Sequence, residues 1–248
     1  MSVQAVILAA GTGSRLRPLT DDRPKAALPL GGRPLVTRAL ASLAACGVSS
    51  VVVVAGHARA ALLATLAEVR GRVHCVVVDN PAYATTNTLA SLACAERALD
   101  GDDFLLLDGD VVFEAEVLRR LDGPGIRLAV DRGRPLDADA VKVAVRGRRI
   151  TAVGKTLPAG AAGAGESIGI ARVDRAAAPA LFAASRDLLA AGGAGAYYEA
   201  AFQRLIEGGV PFEAADVTGL RWVEIDDHHD LRLAEALFVV DGTPGVCA

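Results

Sequence analysis

The stretch LAAGTGSRLRPLT, Leu8 to Thr20, followed closely by Arg23-Pro24-Lys25, decides the fold of this chain. It joins an apolar strand (Val6, Ile7, Leu8) to a glycine-bearing turn and then supplies Arg15, Arg17 and Lys25. A strand end that opens into a loop with two glycines lets backbone N–H groups come close to phosphate oxygens. The cations that follow can then neutralise a polyphosphate. The spacing is not that of the Walker A loop, because no Gly-Lys-Ser/Thr follows the glycines. Nor is it the dinucleotide fingerprint, since Gly11-Thr12-Gly13-Ser14-Arg15-Leu16 carries leucine where the third glycine belongs. On physical grounds it reads as a nucleotide-triphosphate loop of a third kind. The plainer alternative is a strand-to-helix turn with incidental surface arginines.

The 248 residues suffice for one large α/β domain with a full core. A net charge of −3 gives no electrostatic support to coating a nucleic acid. No apolar run approaches the ~20 residues needed to span a bilayer, and the N-terminus lacks a signal-peptide pattern. Cys46, Cys75, Cys94 and Cys247 are scattered without a Cys-x-x-Cys pair, and three of them lie in apolar segments as small core residues. The expectation is a cytoplasmic enzyme, with no nucleic-acid or membrane partner and a homodimer left open.

Outward from the opening loop, short apolar runs alternate with helical patterns, the signature of a mostly parallel sheet covered by helices. The pattern predicts strands near 4–9, 50–55, 73–78 and 103–107, and helices near 34–46, 58–70, 87–98 and 114–121. Val51 to Val54 is an unbroken β-branched run, as in a strand buried on both faces. From Ile126 the rhythm changes. Val141–Val145 and Ile150–Val153 flank Arg146-Gly147-Arg148-Arg149 and read as a hairpin. A strand follows over Glu166–Val173, then helices over 175–191 and 196–208, a last strand near Trp222–Ile225 and a closing helix over 228–239. Pro158–Gly165 and Gly192–Gly195 are too poor in large side chains to anchor a core and read as mobile. Residues 1–248 are thus expected to form a single domain, with a nucleotide-binding half (1–125) and an acceptor-binding half (126–248).

Two carboxylate-bearing segments flank the first half. Leu105-Leu106-Leu107-Asp108-Gly109-Asp110 runs off the end of a central strand, where ligands of open α/β sheets collect. Trp222-Val223-Glu224-Ile225-Asp226-Asp227 leaves the last strand. Magnesium favours oxygen ligands and keeps much of its water, so one or two carboxylates plus substrate phosphates make a sufficient site. Asp110 and Asp226 are the candidate Mg²⁺ ligands. The alternative is that such residues are solvated strand-end acids or helix caps, and Asp227 reads as a cap. His228-His229 lacks further His or Cys at ligand spacing, which argues against zinc.

Asp79-Asn80-Pro81-Ala82-Tyr83-Ala84-Thr85-Thr86-Asn87, leading into Thr88-Leu89-Ala90-Ser91-Leu92, carries amides and hydroxyls at a helix entrance. They can cap the helix or read the edge of a pyrimidine. Lys142, Lys155, Arg127, Arg132 and Arg134 gather where an acceptor should bind, as a pocket for a small anion or as solvated strand edges. Lys155, after an apolar strand and before the glycine-rich stretch, is the strongest acceptor candidate.

The opening stretch resembles the sugar-phosphate nucleotidyltransferase superfamily, whose N-terminal signature is Leu-Ala-Ala-Gly-x-Gly-x-Arg-Leu-x-Pro-Leu-Thr followed by Pro-Lys. Every fixed position is present. The resemblance implies a Rossmann-like three-layer α/β/α fold with a mixed, mostly parallel central sheet. It also implies that the loop from Leu8, Ala9 and Ala10 through Gly11, Thr12 and Gly13 holds the nucleotide, joined by Asp108. Arg15 would contact the triphosphate, and Lys25 would bridge it to the acceptor's phosphate. An aspartate from each acidic segment, Asp110 and Asp226, would hold the metal.

The 80–92 stretch is similar to the Asn-x-x-Tyr-x-x-x-Asn-Asn-x-x-Ser-Leu segment of the phosphocholine and phosphonate cytidylyltransferase branch. That similarity assigns Asn80, Thr86, Asn87 and Ser91 to the nucleotide, with Thr88 in place of the second asparagine. Tyr197-Tyr198-Glu199 resembles the branch's Tyr-Trp-Glu/Asp segment, and Glu224-Ile225-Asp226 its closing motif. Glu166 and Gly169 resemble a Glu-x-x-Gly acceptor contact. Lys142, Lys155, Glu166, Gly169, Tyr198 and Glu199 are therefore the expected acceptor residues. The implied activity is a Mg²⁺-dependent transfer of CMP from CTP to a small phosphonate or phosphate, such as phosphonoformate, aminoethylphosphonate or phosphocholine. A sugar-1-phosphate or inositol-phosphate nucleotidyltransferase is the alternative.

Overall fold

A computed structural model describes residues 3–69, 73–161 and 163–239. Cys247, residue 70 of the second expected helix and residue 162 of the Pro158–Gly165 stretch lie outside the described residues. The first half runs β1 (Val3–Ala9), the short ribbon β2 (Pro29–Leu30) and β3 (Arg33–Pro34), α1 (Leu35–Ala45), β4 (Ser50–Ala55), α2 (Arg59–Ala67), β5 (His74–Asp79), α3 (Thr88–Ala95) and β6 (Asp103–Asp108). Next come β7 (Val111–Phe113), α4 (Glu116–Arg120), β8 (Ile126–Asp131), β9 (Lys142–Arg146), β10 (Arg149–Gly154) and β11 (Gly165–Val173). The chain closes through α5 (Ala178–Ala190), α6 (Glu199–Glu207), β12 (Phe212–Asp216), β13 (Trp222–Glu224) and α7 (His228–Phe238).

Nine strands make one sheet in the order β5-β4-β1-β6-β11-β8-β12-β10-β9. All run the same way except β10 and β11, which pair antiparallel with their neighbours. The sheet is mixed and mostly parallel, and it is continuous across both halves of the sequence. Alternation along the strands builds two cores. Val6, Leu8, Val52, Val54, Phe104 and Leu106 face α3, α5 and α6 on one side. Ala5, Ile7, Val51, Val53, Leu105 and Leu107 face α1, α2 and α4 on the other. Each fully buried Val, Leu or Phe contributes about 1.5–3 kcal/mol, which holds the three α/β/α layers together.

A third, smaller core matters more for function. Leu16, Leu28, Leu30, Leu35, Val112, Val223, Ile225 and Ala234 pack together. They tie the loop after β1 to the β7–β13 pair and to α7, so the opening loop and the C-terminal acids are anchored in one cluster.

Besides the short strands β2, β3 and β7, which the pattern does not mark, three elements differ from the expectation. Ile126–Asp131 is a strand buried along its whole length, with Arg127 and Asp131 interrupting the apolar pattern. Arg127 reaches Glu213 at 3.4 Å on parallel neighbour β12, a strand whose Glu-Ala-Ala centre hides its character. Trp222–Glu224 is a strand as expected, but it pairs with β7 in a separate two-stranded sheet.

Candidate active site

The ends of β1 and β6 and the β7–β13 pair open into one cleft of ≈ 820 Å³. Gly13 takes φ +59° at the head of a 3₁₀ turn over Ser14–Leu16, a left-handed conformation that glycine adopts without steric cost. Its carbonyl accepts from the Thr20 hydroxyl at 2.8 Å, closing the loop on itself. Leu8, Ala9, Gly11, Thr12 and Gly13 line the cleft. Ala10 does not; it is buried, and its carbonyl accepts from the His57 N–H.

The centre of the cleft is an ionic cluster. Lys25 Nζ lies 2.8 Å from Asp110 Oδ2 and 2.7 Å from Asp226 Oδ1, and Arg15 lies 2.7 Å from Asp226 Oδ2. Burial alone would depress the Lys25 ammonium, but Asp110 and Asp226 outweigh it and hold it above its ordinary value. Burial would likewise raise the Asp226 carboxyl, yet Lys25 and Arg15 keep it below the usual range. Glu224 joins them, its carboxylate within 4.8 Å of those of Asp110 and Asp226. Its residue surface opens to the cleft, but desolvation by the walls, reinforced by Asp110 and Asp226, pushes its carboxyl up to about 8.

Three converging carboxylates are hard oxygen donors of the kind Mg²⁺ prefers. Asp110 Oδ1 is also buried without a hydrogen-bond partner among the described residues. The residues therefore fit a divalent cation. Glu224 was not singled out as a ligand from sequence; the i, i+2 spacing of Glu224 and Asp226 on an extended segment is the signal that marks it.

The cleft floor is acidic too. Asp108 ends β6 and accepts from the Tyr198 hydroxyl at 3.1 Å. Burial, then Asp110 and Glu199, raise the Asp108 carboxyl well above its ordinary value. Glu199, at the start of α6, is 6% exposed, and burial pushes its carboxyl up to about 7. Gly169 takes φ +73°, and a Cβ there would meet Asp108 Oδ2 at 2.5 Å, so this position lets β11 approach the acid. Lys155 Nζ stands 4.9 Å from the centre of the Tyr197 ring. Glu166, Lys155, Tyr198, Glu199, Asn87, Asp108 and Gly169 all line the cleft.

Four further expected residues, Asn80, Thr86, Ser91 and Lys142, lie off that lining. Asn80 is buried, donates to Thr86 Oγ1 and Ser91 Oγ at 3.1 Å each, and accepts from the Ala82 N–H. These hydrogen bonds brace the turn into α3. Asn87 caps α3 by accepting from the Thr88 N–H at 2.9 Å. Lys142 donates to the carbonyls of Ala140 and Lys155. Asp227 is a helix cap, as its position suggested: it accepts from the His229 and Asp230 N–H groups, and Asp230 reciprocates. Arg134, whose guanidinium lies 4.0 Å over the Trp222 ring, lines the cleft beside them.

The chain is 39% identical, over 95% of its length, to the CMP-5'-(3-aminopropyl)phosphonate synthase of Streptomyces rubellomurinus, and it spans 39% of that relative. Its structure is similar to the inositol-1-phosphate CTP transferase of T. maritima, with a TM-score of 0.82 and 24% identity, covering 100% of this chain and 98% of the other. It is similar also to the CTP:phosphocholine cytidylyltransferase of Streptococcus pneumoniae, with a TM-score of 0.77 and 22% identity over 96% and 99%. No helix among the described residues is long and apolar enough to cross a membrane. The MobA-like NTP transferase domain matches residues 5–191, and the chain belongs to that family.

Proposed function

We propose that this chain is a Mg²⁺-dependent cytidylyltransferase that joins CTP to a small phosphonate or phosphate, giving a CMP-linked product and pyrophosphate. The observation that carries the reading is Lys25 held between Asp110 and Asp226 beside Arg15 at the mouth of the glycine loop. The name of the Streptomyces relative, a synthase of CMP-5'-(3-aminopropyl)phosphonate, supports a CMP-linked product and hence CTP as the donor.

The chain's residues account for the reaction in terms of charge and position. An acceptor oxygen attacks the α-phosphorus of CTP in line, and the bond to the bridging oxygen of the β-phosphate breaks. Phosphonate and phosphate oxygens are already ionised near neutral pH, so no general base is required. Lys25 draws the acceptor oxygen towards the α-phosphate, and Arg15 neutralises the departing pyrophosphate. The loop from Leu8 to Gly13 cradles the nucleotide with backbone N–H groups. Asp110 and Asp226, with Glu224 beside them, would hold Mg²⁺, which when bound offsets charge on the phosphates.

The test is pyrophosphate release by the purified protein with CTP, Mg²⁺ and a panel of small phosphonates, phosphocholine and sugar 1-phosphates. CTP-dependent release with a small phosphonate or phosphate is the expected result. Release only with UTP or dTTP and a sugar phosphate would replace this reading with a pyrophosphorylase.

A further inference from the structure

Resting on the reading of the glycine loop as a nucleotide cradle, we propose that His57 is a positioning residue: it clamps both ends of that loop and so sets its grip on the triphosphate. Two hydrogen bonds from one residue carry the assignment. The His57 backbone N–H donates to the Ala10 carbonyl at 3.1 Å, and the ring Nε2 lies 2.8 Å from the Thr20 carbonyl oxygen. A carbonyl oxygen only accepts, so Nε2 carries a proton, and in the neutral ring Nδ1 has none. Ala10 and Thr20 bracket the stretch that holds Gly11, Thr12, Gly13 and Arg15. Thr20 passes the restraint inward, because its hydroxyl donates to the Gly13 carbonyl at 2.8 Å. Thr20 is also fully buried, so removing the ring takes a donor from a buried carbonyl.

The turn that carries His57, between β4 and α2, is shaped for that reach. A Cβ at Gly56 would stand 2.7 Å from the Ala10 carbonyl oxygen and 2.7 Å from Tyr83 Cβ, so glycine lets the strand end come up to the loop. Ala58 takes φ +46°, a left-handed conformation that disfavours a residue with a Cβ. No other non-glycine residue among the described residues has a positive φ. Such a conformation persists where its surroundings over-determine it, as the two bonds of His57 do here.

His57 also meets the second segment expected at the nucleotide. Its ring centroid lies 6.3 Å from that of Tyr83, in the turn where Asn80 accepts from the Ala82 N–H. Yet His57 is not among the residues that line the cleft, so it acts through the loop rather than by touching substrate. The cradle holds phosphate oxygens by backbone N–H groups, and a shift of about 1 Å at a remote support can cost ~100-fold.

The experiment titrates CTP, with Mg²⁺, into wild type, His57→Ala and His57→Gln by calorimetry, with hydrogen exchange over residues 11–19 read in parallel. Alanine keeps the backbone N–H and removes the ring donor, whereas glutamine returns an N–H near the Nε2 position. In His57→Ala the Kd for CTP should rise at least ~10-fold and exchange in the loop should quicken. In His57→Gln the Kd should return to within ~3-fold of wild type. An unchanged Kd in His57→Ala would overturn the clamp, and so would equal losses in the two variants, which would make the ring mere packing against Tyr83. The ¹⁵N spectrum of the wild-type imidazole needs no variant and stands if His57→Ala fails to fold: a neutral ring protonated at Nε2 is expected, and one protonated at Nδ1 would overturn the clamp. Binding of UTP or dTTP in place of CTP would remove the cytidylyltransferase reading, and the clamp is then tested by the same Kd ratios for that nucleotide. Wild type that binds no nucleoside triphosphate would remove both.

Discussion

The Lys25 ammonium sits 2.7 Å from Asp226, a residue 201 positions further along the chain. That contact closes the site, because it joins the loop after β1 to the acidic segment after β13. It also sets a competition. Two of the three carboxylates that suit a divalent cation, Asp110 and Asp226, also neutralise the lysine, so in the free protein Lys25 occupies part of the cation's coordination space.

Replacing the lysine tests both sides of that competition. Lys25→Ala should slow turnover at least ~100-fold, the scale of losing one preorganised electrostatic donor. Asp110 and Asp226 lose their shared counter-ion, so Mg²⁺ should raise Tm more in the variant than in wild type. Pyrophosphate release and thermal melts with and without Mg²⁺ read the two effects. Turnover within a few-fold of wild type would take Lys25 out of the reaction.

Metal removal should act through the same carboxylates. Treatment with EDTA should abolish pyrophosphate release, and added Mg²⁺ should restore it. Asp226→Asn removes a candidate ligand and the partner of both Lys25 and Arg15, so turnover should drop at least ~100-fold with the Mg²⁺ requirement shifted to higher concentration. Full activity in EDTA would refute the metal assignment.

Much of this site was legible in the sequence because it sits where local chemistry is explicit. The glycine loop, Arg15, Lys25, Asp108 and Asp110 follow strands whose apolar runs are unbroken. The structure brings all of them to the cleft together with Asp226. What stayed hidden depends on long-range pairing. Ile126–Asp131 reads poorly as a strand because Arg127 and Asp131 are polar, and their partners, Glu213 and Trp222, lie far along the chain. Asn80, Thr86 and Ser91 carry side chains equally suited to a base and to a turn; the hydrogen bonds by which they brace the turn exist only once α3 is placed. Glu224 was visible as a letter of a motif, but its convergence with Asp110 depends on the β7–β13 pairing.

Glu199 makes a prediction about pH. Its carboxyl stands at about 7 in the folded protein because it is buried, against an ordinary glutamate value of 4.5. The folded state therefore binds more protons than the unfolded state between those values, and stability falls as pH rises through that window. The loss amounts to something on the order of 3 kcal/mol for the free protein once pH passes the folded value. Glu199→Gln cannot ionise, so its Tm should exceed that of wild type at pH 8 and converge with it near pH 5. Parallel Tm–pH curves for the two proteins would show that Glu199 is not buried in its ionisable form.

Trp222 predicts a packing effect that reaches the cleft. Its indole Nε1–H donates to Asp131 Oδ2 at 2.7 Å, and Asp131 is 4% exposed. Arg134 lies over the same ring, donates to the Trp222 carbonyl at 2.8 Å, and approaches Asp131 Oδ2 at 3.5 Å. Trp222→Phe keeps an aromatic surface but removes the donor, leaving a buried carboxylate oxygen with Arg134 as its remaining partner. That costs about 1–3 kcal/mol, a fall in Tm of roughly 2–12 °C for a chain of this size. Arg134 should be drawn from the ring towards Asp131, and because Arg134 lines the cleft, KM for the acceptor should rise more than kcat falls. A Tm unchanged by Trp222→Phe would mean that Asp131 finds its donor elsewhere, and an unchanged KM that Arg134 takes no part in holding the acceptor.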